Sequence, residues 1–216
     1  MANTIGVASK KILPYMNPLL ECFHTIITQG AAVAAQNVKG QALMCAGKLA
    51  SACGKEQFPE QAIDEFTKFA LECLKQDTGN KLELRETAIT YFSDLSVLIK
   101  EDMKPIFDEV MTEIIKTCVK EDEFAQVEKK DLDGGAKKAG GFSLDSDSED
   151  PEELAGIDVD VNQLDEKTAA VNAIGVMACH APGLVQTRFK DVCDALEHNQ
   201  MYFHSNVKFH VCLAYL

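Results

Sequence analysis

Apolar residues recur every three or four positions along almost the whole chain, in stripes that short breaks separate. This period predicts amphipathic α-helices, and no useful length alternates with the period of two that a strand requires. Gly54 closes the second stripe, where a left-handed C-terminal cap favours glycine. Pro14, Pro59 and Pro105 lie near predicted helix starts, where a missing N–H costs little, whereas Pro18 predicts a kink one turn further in. The sequence therefore predicts an all-α fold.

The predicted helices recur as a repeat. Lys39 and Arg85, each following an apolar residue, are separated by 46 positions, and Lys167 and Lys208 by 41. Glu166 takes the apolar slot before Lys167. The 82 positions from Arg85 to Lys167 fit one repeat plus about 36 inserted residues. Small residues follow in register, at Gly47, Ser93 and Gly175. Such periods with two helices per unit are typical of HEAT or armadillo arrays, and two-helix units favour HEAT. A helical bundle with chance similarity is the alternative.

The repeat predicts an α-solenoid of HEAT-type antiparallel helix pairs, in which each pair buries the apolar face of its neighbour. Residues 1–120 would hold a partial first repeat and about two more. Residues 121–163 would be an acidic insert, and residues 164–216 one repeat plus a partial one. Because Ile5-Gly6-Val7 looks like a helix end and an apolar stripe runs to Leu216, we expect a fragment of a longer array. Both ends should then expose apolar patches.

The net charge of −13 is concentrated in one segment. Fifteen acidic residues and four lysines lie between Glu121 and Asp165, so the remaining chain is nearly neutral. Residues 121–163 have few large apolar side chains, and we expect disorder. A solvated linker and an electrostatic arm that attracts basic proteins, or competes with them, both fit this segment. Ser146 and Ser148 precede acidic residues and are candidate phosphorylation sites. The body has no basic face for nucleic acid, and no apolar run is long enough to span a membrane.

The reactive residue types show no arrangement that predicts catalysis. The chain has eight cysteines, and no Cys-x-x-Cys pair. Buried free thiols in a reducing, intracellular compartment are the expectation, against a disulfide framework or metal site. Cys179 and His180 are adjacent and point about 100° apart on a helix. His204, His210 and Cys212 are the one metal combination worth considering. We therefore expect no enzyme, no cofactor and no metal.

Three segments resemble the importin-β (karyopherin-β) family. Leu13-Pro14-Tyr15-Met16 with Leu19-Leu20 resembles the start of a second HEAT helix in that family. Leu164-Asp165-Glu166-Lys167 looks like the helix that resumes after its acidic insert, and Phe203-His204 with Asn206-Val207-Lys208 resembles the start of the next repeat. The order of repeats, acidic insert and further repeats is also similar. One departure is that the second-type helix expected from Val185 lacks the proline of the earlier ones.

The resemblance implies nuclear import by a receptor that shuttles between cytoplasm and nucleus. Such receptors bind basic cargo, here of histone or ribosomal-protein type, on the second helix of each pair. Phe-Gly nucleoporins and the GTPase Ran are expected partners of the full-length protein and are not assigned to this chain. The resemblance makes acidic residues of the second helices candidates for cargo contact: Asp64, Glu65, Asp108, Glu109, Asp191 and Asp194. A HEAT scaffold that organises an enzyme, such as a protein phosphatase, is the alternative.

Overall fold

The computed structural model describes residues 9–29, 34–76, 82–120, 161–202 and 204–215. Within these ranges every regular element is helical and no strand occurs, which confirms the predicted all-α class. The α-helices are α1 (Met16–Thr28), α2 (Ala34–Cys53), α3 (Glu60–Lys75), α4 (Leu82–Ile99), α5 (Lys104–Val119), α6 (Val161–His180), α7 (Pro182–Thr187), α8 (Phe189–Gln200) and α9 (Ser205–Ala214). Two 3-10 helices, Ser9–Tyr15 and Lys100–Met103, precede α1 and α5.

The helices pack in two layers. In the first layer α2, α4, α6 and α9 contact one another in chain order. In the second layer α1, α3, α5 and α8 do the same. Each second-layer helix also packs on a first-layer helix that follows it in the chain. This arrangement of packed helix pairs is compatible with an α-solenoid.

The core lies between the layers, where the apolar stripes meet. Tyr91 and Phe92 on α4 are fully buried, and their rings meet edge to face with centroids 5.6 Å apart. The Tyr91 hydroxyl lies 3.3 Å from the Thr67 hydroxyl, so its polar end has a partner inside the core. Burial of one such large side chain contributes about 1.5–3 kcal/mol, and this term holds the layers together. Further fully buried large side chains are Leu43, Leu49, Phe66, Leu74, Ile89, Leu95, Met103, Phe107, Met111 and Ile114.

Small residues let the first-layer helices approach closely. A Cβ placed on Gly47 would lie 3.2 Å from the Asp94 carboxylate, and one on Gly175 would lie 3.2 Å from the Ala214 Cα. These glycines therefore lie at the contacts of α2 with α4 and of α6 with α9. Lys48, next to Gly47, donates a hydrogen bond of 2.7 Å to Asp94 across the same contact.

A buried ion pair links successive repeats of the predicted array. Arg85 on α4 donates from Nε to Glu166 Oε1 on α6 at 2.7 Å. The same guanidinium donates to the Leu74 carbonyl at the end of α3 and, at 3.1 Å, to the Thr117 hydroxyl on α5. One side chain thus joins four helices. Glu166 occupies an apolar slot because Arg85, from the preceding first-layer helix, is its partner.

Lys167 on α6 makes a contact similar to that of Arg85 on α4. Its Nζ donates at 2.9 Å to the Lys120 carbonyl, just past the end of α5, and lies 4.5 Å from the centre of the Tyr202 ring. Both basic residues therefore bind a carbonyl at the C-terminal end of the preceding second-layer helix, where a cation is favoured by the helix dipole.

The structure confirms the predicted cap and corrects the prediction for Pro18. Gly54 has φ +81°, and its N–H donates to the Ala50 carbonyl at 3.0 Å. Pro59 immediately precedes α3, and Pro105 lies in the first turn of α5. Because α1 begins at Met16, Pro18 lies in its first turn and removes no intrahelical hydrogen bond, so the predicted kink has no cause there.

The second-layer helix expected from Val185 without a proline also needs correction. It begins with the short helix α7, whose first residue is Pro182. Arg188, with φ −117° and ψ 20°, then separates α7 from α8. The Glu101 carboxylate accepts a 2.9 Å hydrogen bond from the Gly183 N–H and thereby caps α7 from another element. The proline is therefore present at the helix start, and the sequence pattern missed it because the helix is interrupted at Arg188.

The predicted domain limits differ from the structure at one point. Helix α6 begins at Val161, so residues 161–163 are helical and not part of the insert. The predicted limit rests on the sparse large apolar side chains and the lost helical periodicity, and neither locates the first turn of a helix. The rest of the predicted insert, with Ser146 and Ser148, lies outside the described residues, as does Ile5-Gly6-Val7.

Large apolar side chains are exposed toward both ends of the described structure. Tyr15 and Val38 are 65% and 50% exposed. On α9, Phe209 and Leu213 are 60% and 45% exposed, and Tyr215 follows with 52%. Val119 at the end of α5 is also 40% exposed, so apolar exposure is not confined to the ends, and the end patches stay a prediction.

Candidate protein-binding surface

The outward surface of the second layer carries the acidic residues that the sequence singled out. Five of them are exposed and Glu65 is half-buried. They occupy three successive helices of one layer, in pairs: Asp64 and Glu65 on α3, Asp108 and Glu109 on α5, Asp191 and Asp194 on α8. Their outward position follows from amphipathicity, since each flanks a buried stripe of its own helix.

Two of these acids contact a nitrogen-bearing side chain of the preceding second-layer helix. His24 on α1 places Nδ1 2.9 Å from Glu65 Oε2 on α3. Lys75 at the end of α3 places Nζ 2.5 Å from Glu109 Oε1 on α5. The hydrogen bond to Glu109, together with its charge, raises the pKa of Lys75. The acids thus link neighbouring helices within the layer.

Arg188, at the break between α7 and α8, extends the same pattern. Its Nε lies 2.7 Å from Asp191 Oδ2 within its own segment, and NH1 lies 3.9 Å from Asp108 Oδ1 on α5. NH1 also donates to the Thr112 hydroxyl at 3.2 Å. The break therefore directs one cation toward two of the predicted acids. Because Asp108 is largely exposed, that longer contact contributes at most about 1 kcal/mol.

Asp64 and Asp194 differ from the other four. Across the described ranges, neither makes a side-chain hydrogen bond or an ion pair. Their carboxylates are fully available to a new donor, whereas Glu65, Asp108, Glu109 and Asp191 each already contact one basic side chain.

An open groove of about 630 Å³ lies between α1 and α3. Two carboxylates, Glu21 and Glu65, and the His24 imidazole line it. Amide, hydroxyl and apolar groups complete the lining: Asn17, Leu20, Thr25, Pro59, Gln61, Ala62 and Phe66. Sequence reasoning missed Glu21, His24 and Gln61, because it selected acids only on the helices that became α3, α5 and α8. The predicted repeat could have suggested them, since it places α1 beside α3.

A second groove, of about 430 Å³, has the opposite charge. It lies at the C-terminal ends of α3 and α5 and is lined by Lys75, Arg85, Glu113, Lys116, Thr117 and Lys120. Arg85 forms part of its wall and is 12% exposed, so the buried ion pair with Glu166 borders this groove. The second layer therefore presents an acidic groove at one position and a basic groove at another.

All eight cysteines are free, which confirms the prediction of unpaired thiols. Cys45, Cys73 and Cys118 are buried, and burial raises the pKa of the Cys118 thiol to about 12. The expectation that all would be buried is wrong for three that lie at the edges of apolar stripes and face solvent. These exposed thiols are Cys22, Cys179 and Cys212.

The remaining candidates for chemistry do not come together as a site. In the residues that the structure describes, no group of three His, Cys, Asp or Glu side chains could hold a metal ion, so His204, His210 and Cys212 do not form one. His204 instead accepts a 3.3 Å hydrogen bond from the Asn206 N–H at the start of α9. Among the described helices, none combines the length and apolar character needed to cross a membrane. No family model and no curated protein matches the chain.

Proposed function

We propose that this chain is part of a nuclear import receptor of importin-β type and that it binds basic proteins on its second helical layer. The order of its motifs most resembles the middle region of importin four. Histone-like and ribosomal proteins are the cargo class that this resemblance suggests. The complete receptor would bind Phe-Gly nucleoporins and Ran, and would move between cytoplasm and nucleus. The chain itself would act by binding alone.

The recurring role of basic residues supports a repeated HEAT-type unit. Arg85 binds a carbonyl 11 positions before it, at Leu74, and Lys167 binds one 47 positions before it, at Lys120. Removal of the roughly 36 inserted residues brings the second spacing to about 11 as well. The same contact at the same spacing favours a solenoid over a bundle with chance similarity.

The observation that carries the proposal is the row of outward carboxylates on α3, α5 and α8. A basic segment laid across the second layer would meet acidic side chains on each successive helix. Each exposed pair contributes little, about 0–1 kcal/mol, so affinity would come from several contacts together. The net charge of −13 adds long-range attraction for a cationic partner.

The test uses the chain and a fluorescent lysine- and arginine-rich peptide, with binding followed by anisotropy. Asp64→Asn and Asp194→Asn should each weaken binding about two- to fivefold, because each removes an available carboxylate. Asp165→Asn is the matched control, since this exposed acid lies on first-layer helix α6. Raised salt should weaken binding by the wild-type chain through screening.

Two results would contradict the proposal. The first is equal loss of affinity in Asp165→Asn, which would show attraction to overall charge and no preferred layer. The second is absence of binding at low salt, which would favour the scaffold alternative. For the full-length protein, a pull-down with GTP-locked Ran separates a transport receptor from a phosphatase scaffold.

A further inference from the structure

We propose that the groove between α1 and α3 receives one lysine or arginine side chain of the bound partner, and that His24 occupies its charged end in the free chain. This inference rests on the proposed function and names the place where a basic segment is anchored. The groove has about 630 Å³, which is ample for one long side chain and the backbone beside it.

The groove lining suits both the alkyl stem and the charged head of a lysine or arginine side chain. Leu20, Ala62 and Phe66 supply apolar surface on which the alkyl stem of a lysine or arginine can pack. Glu21 on the α1 side and Glu65 on the α3 side supply carboxylates for its charged head. A head group between them would form charge-assisted hydrogen bonds, which are stronger than neutral ones.

His24 is a poor permanent partner for Glu65. Its Nδ1 lies 2.9 Å from Glu65 Oε2, but the Nδ1 atom is buried and makes no hydrogen bond. The side chains of His24 and Glu65 are 44% and 39% exposed, so a ligand can reach both. An incoming ammonium or guanidinium would give Glu65 the hydrogen bond that His24 does not give. His24 is thus an internal competitor for the carboxylate.

The two grooves differ in the carboxylates that they offer to a basic segment. The groove at the ends of α3 and α5 is lined by Lys75, Arg85, Lys116 and Lys120, with Glu113 as its one acidic lining residue. Lys75, Arg85 and Lys116 are already paired with carboxylates, and Glu113 is the partner of Lys116, so this groove offers a new cation no uncommitted acid. The pattern gives the second layer a preferred position for the anchor.

The experiment measures the affinity of the same lysine- and arginine-rich peptide for variants of the acidic groove. Glu65→Gln and Glu21→Gln should each weaken binding about three- to fivefold, because each replaces a charge-assisted hydrogen bond at a partly exposed site with a neutral one. Glu72→Gln is the matched control, since Glu72 is an exposed acid on α3 that does not line the groove. A peptide with acetylated lysines and no arginine should lose binding in all variants.

His24→Ala gives the discriminating result. Competition predicts that it tightens binding about two- to fivefold and that this gain disappears in the Glu65→Gln background. A merely structural contact between His24 and Glu65 predicts weaker binding in both single variants. Thermal unfolding of each variant establishes that it is folded before affinities are compared.

The outcomes separate this inference from the proposed function. If Glu65→Gln and Glu21→Gln bind like Glu72→Gln while Asp64→Asn and Asp194→Asn bind weakly, the groove is not the anchor and the proposed function stands. If His24→Ala weakens binding, the competitor role is wrong. If the wild-type chain binds no basic peptide, both proposals fail.

Discussion

Removal of the Glu166 carboxylate should destabilise the fold more than removal of any exposed acid. Glu166 and Arg85 are 5% and 12% exposed, and they meet at 2.7 Å between α4 and α6. Glu166→Ala leaves the guanidinium buried beside a gap. Since Arg85 also holds Leu74 and Thr117, its displacement would loosen α3 and α5 as well.

The expected loss of unfolding free energy follows from the burial of Arg85 and from Glu113, the acid that remains beside it. Loss of one member of a buried pair costs about 3–5 kcal/mol, because the other charge stays desolvated. Glu113 lies 4.0 Å from Arg85 NH1 and partly compensates it. At an effective dielectric of about 20, a carboxylate attracts with about 6 kcal/mol at 2.7 Å and about 4 kcal/mol at 4.0 Å, before desolvation. We therefore expect about 3 kcal/mol for Glu166→Ala and about 1–2 kcal/mol for Glu166→Gln, which retains an acceptor.

Urea unfolding followed by far-ultraviolet circular dichroism measures these changes, since the chain has no tryptophan to report by fluorescence. Asp165→Ala is the matched control: it removes the neighbouring, exposed acid of α6 and should change the free energy of unfolding by no more than about 0.5 kcal/mol. Equal free energies of unfolding for Glu166→Ala and Asp165→Ala would refute the reasoning. The Glu166→Gln variant keeps the test informative if the alanine variant does not fold.

Three further predictions concern the backbone, pH and thiol reactivity. Lys100 has φ +50° without being glycine, so Lys100→Gly should stabilise the fold by up to about 1 kcal/mol, while Gly54→Ala, at φ +81°, should destabilise it by about 1 kcal/mol in the same urea assay. Burial raises the pKa of Asp94 above 3.8, against the opposing effect of Lys48, so the folded state binds this proton more tightly than the unfolded state does. The stability that this shift contributes is fully present below pH 3.8 and is lost as the pH rises through the folded-state pKa of Asp94. Over that pH range the free energy of unfolding of the wild type should fall relative to that of Asp94→Asn. A difference between the two that stays constant with pH in urea unfolding would contradict this. Cys118, whose pKa burial raises to about 12, should resist a maleimide in the native state at pH 8 and react only in urea, as peptide mass spectrometry of labelled thiols can show.

Features that depend on nearby residues could be read from the sequence. Helical periodicity gave the fold class, and the position of Gly54 after an apolar stripe predicted its left-handed cap. The same reasoning failed at Arg188, because a break there divides one periodic segment into α7 and α8. The first of these helices begins at Pro182, earlier than the sequence pattern predicts. The local apolar pattern identifies the buried face of a helix, but it does not identify a break within the helix.

Features that depend on distant residues required the structure. Glu166 departs from the apolar pattern, and only the position of Arg85, 81 residues earlier in the chain, explains why. The outward acids could be predicted from amphipathicity, whereas their pairing with His24, Lys75 and Arg188 could not. The groove between α1 and α3 exists because two helices that are not consecutive in the chain are adjacent, which no local pattern encodes.

The hydrogen bond from Lys167 to the Lys120 carbonyl has a consequence for how this architecture tolerates change. It joins the end of α5 to Lys167, the seventh residue of α6, and so holds the two helices together on either side of their connection. The closing entropy of a connection between two helices held in this way grows only logarithmically, by about 0.6 kcal/mol for each doubling of its length. The length and the charge of the sequence between α5 and α6 can therefore change during evolution, while the two helices keep their relative position.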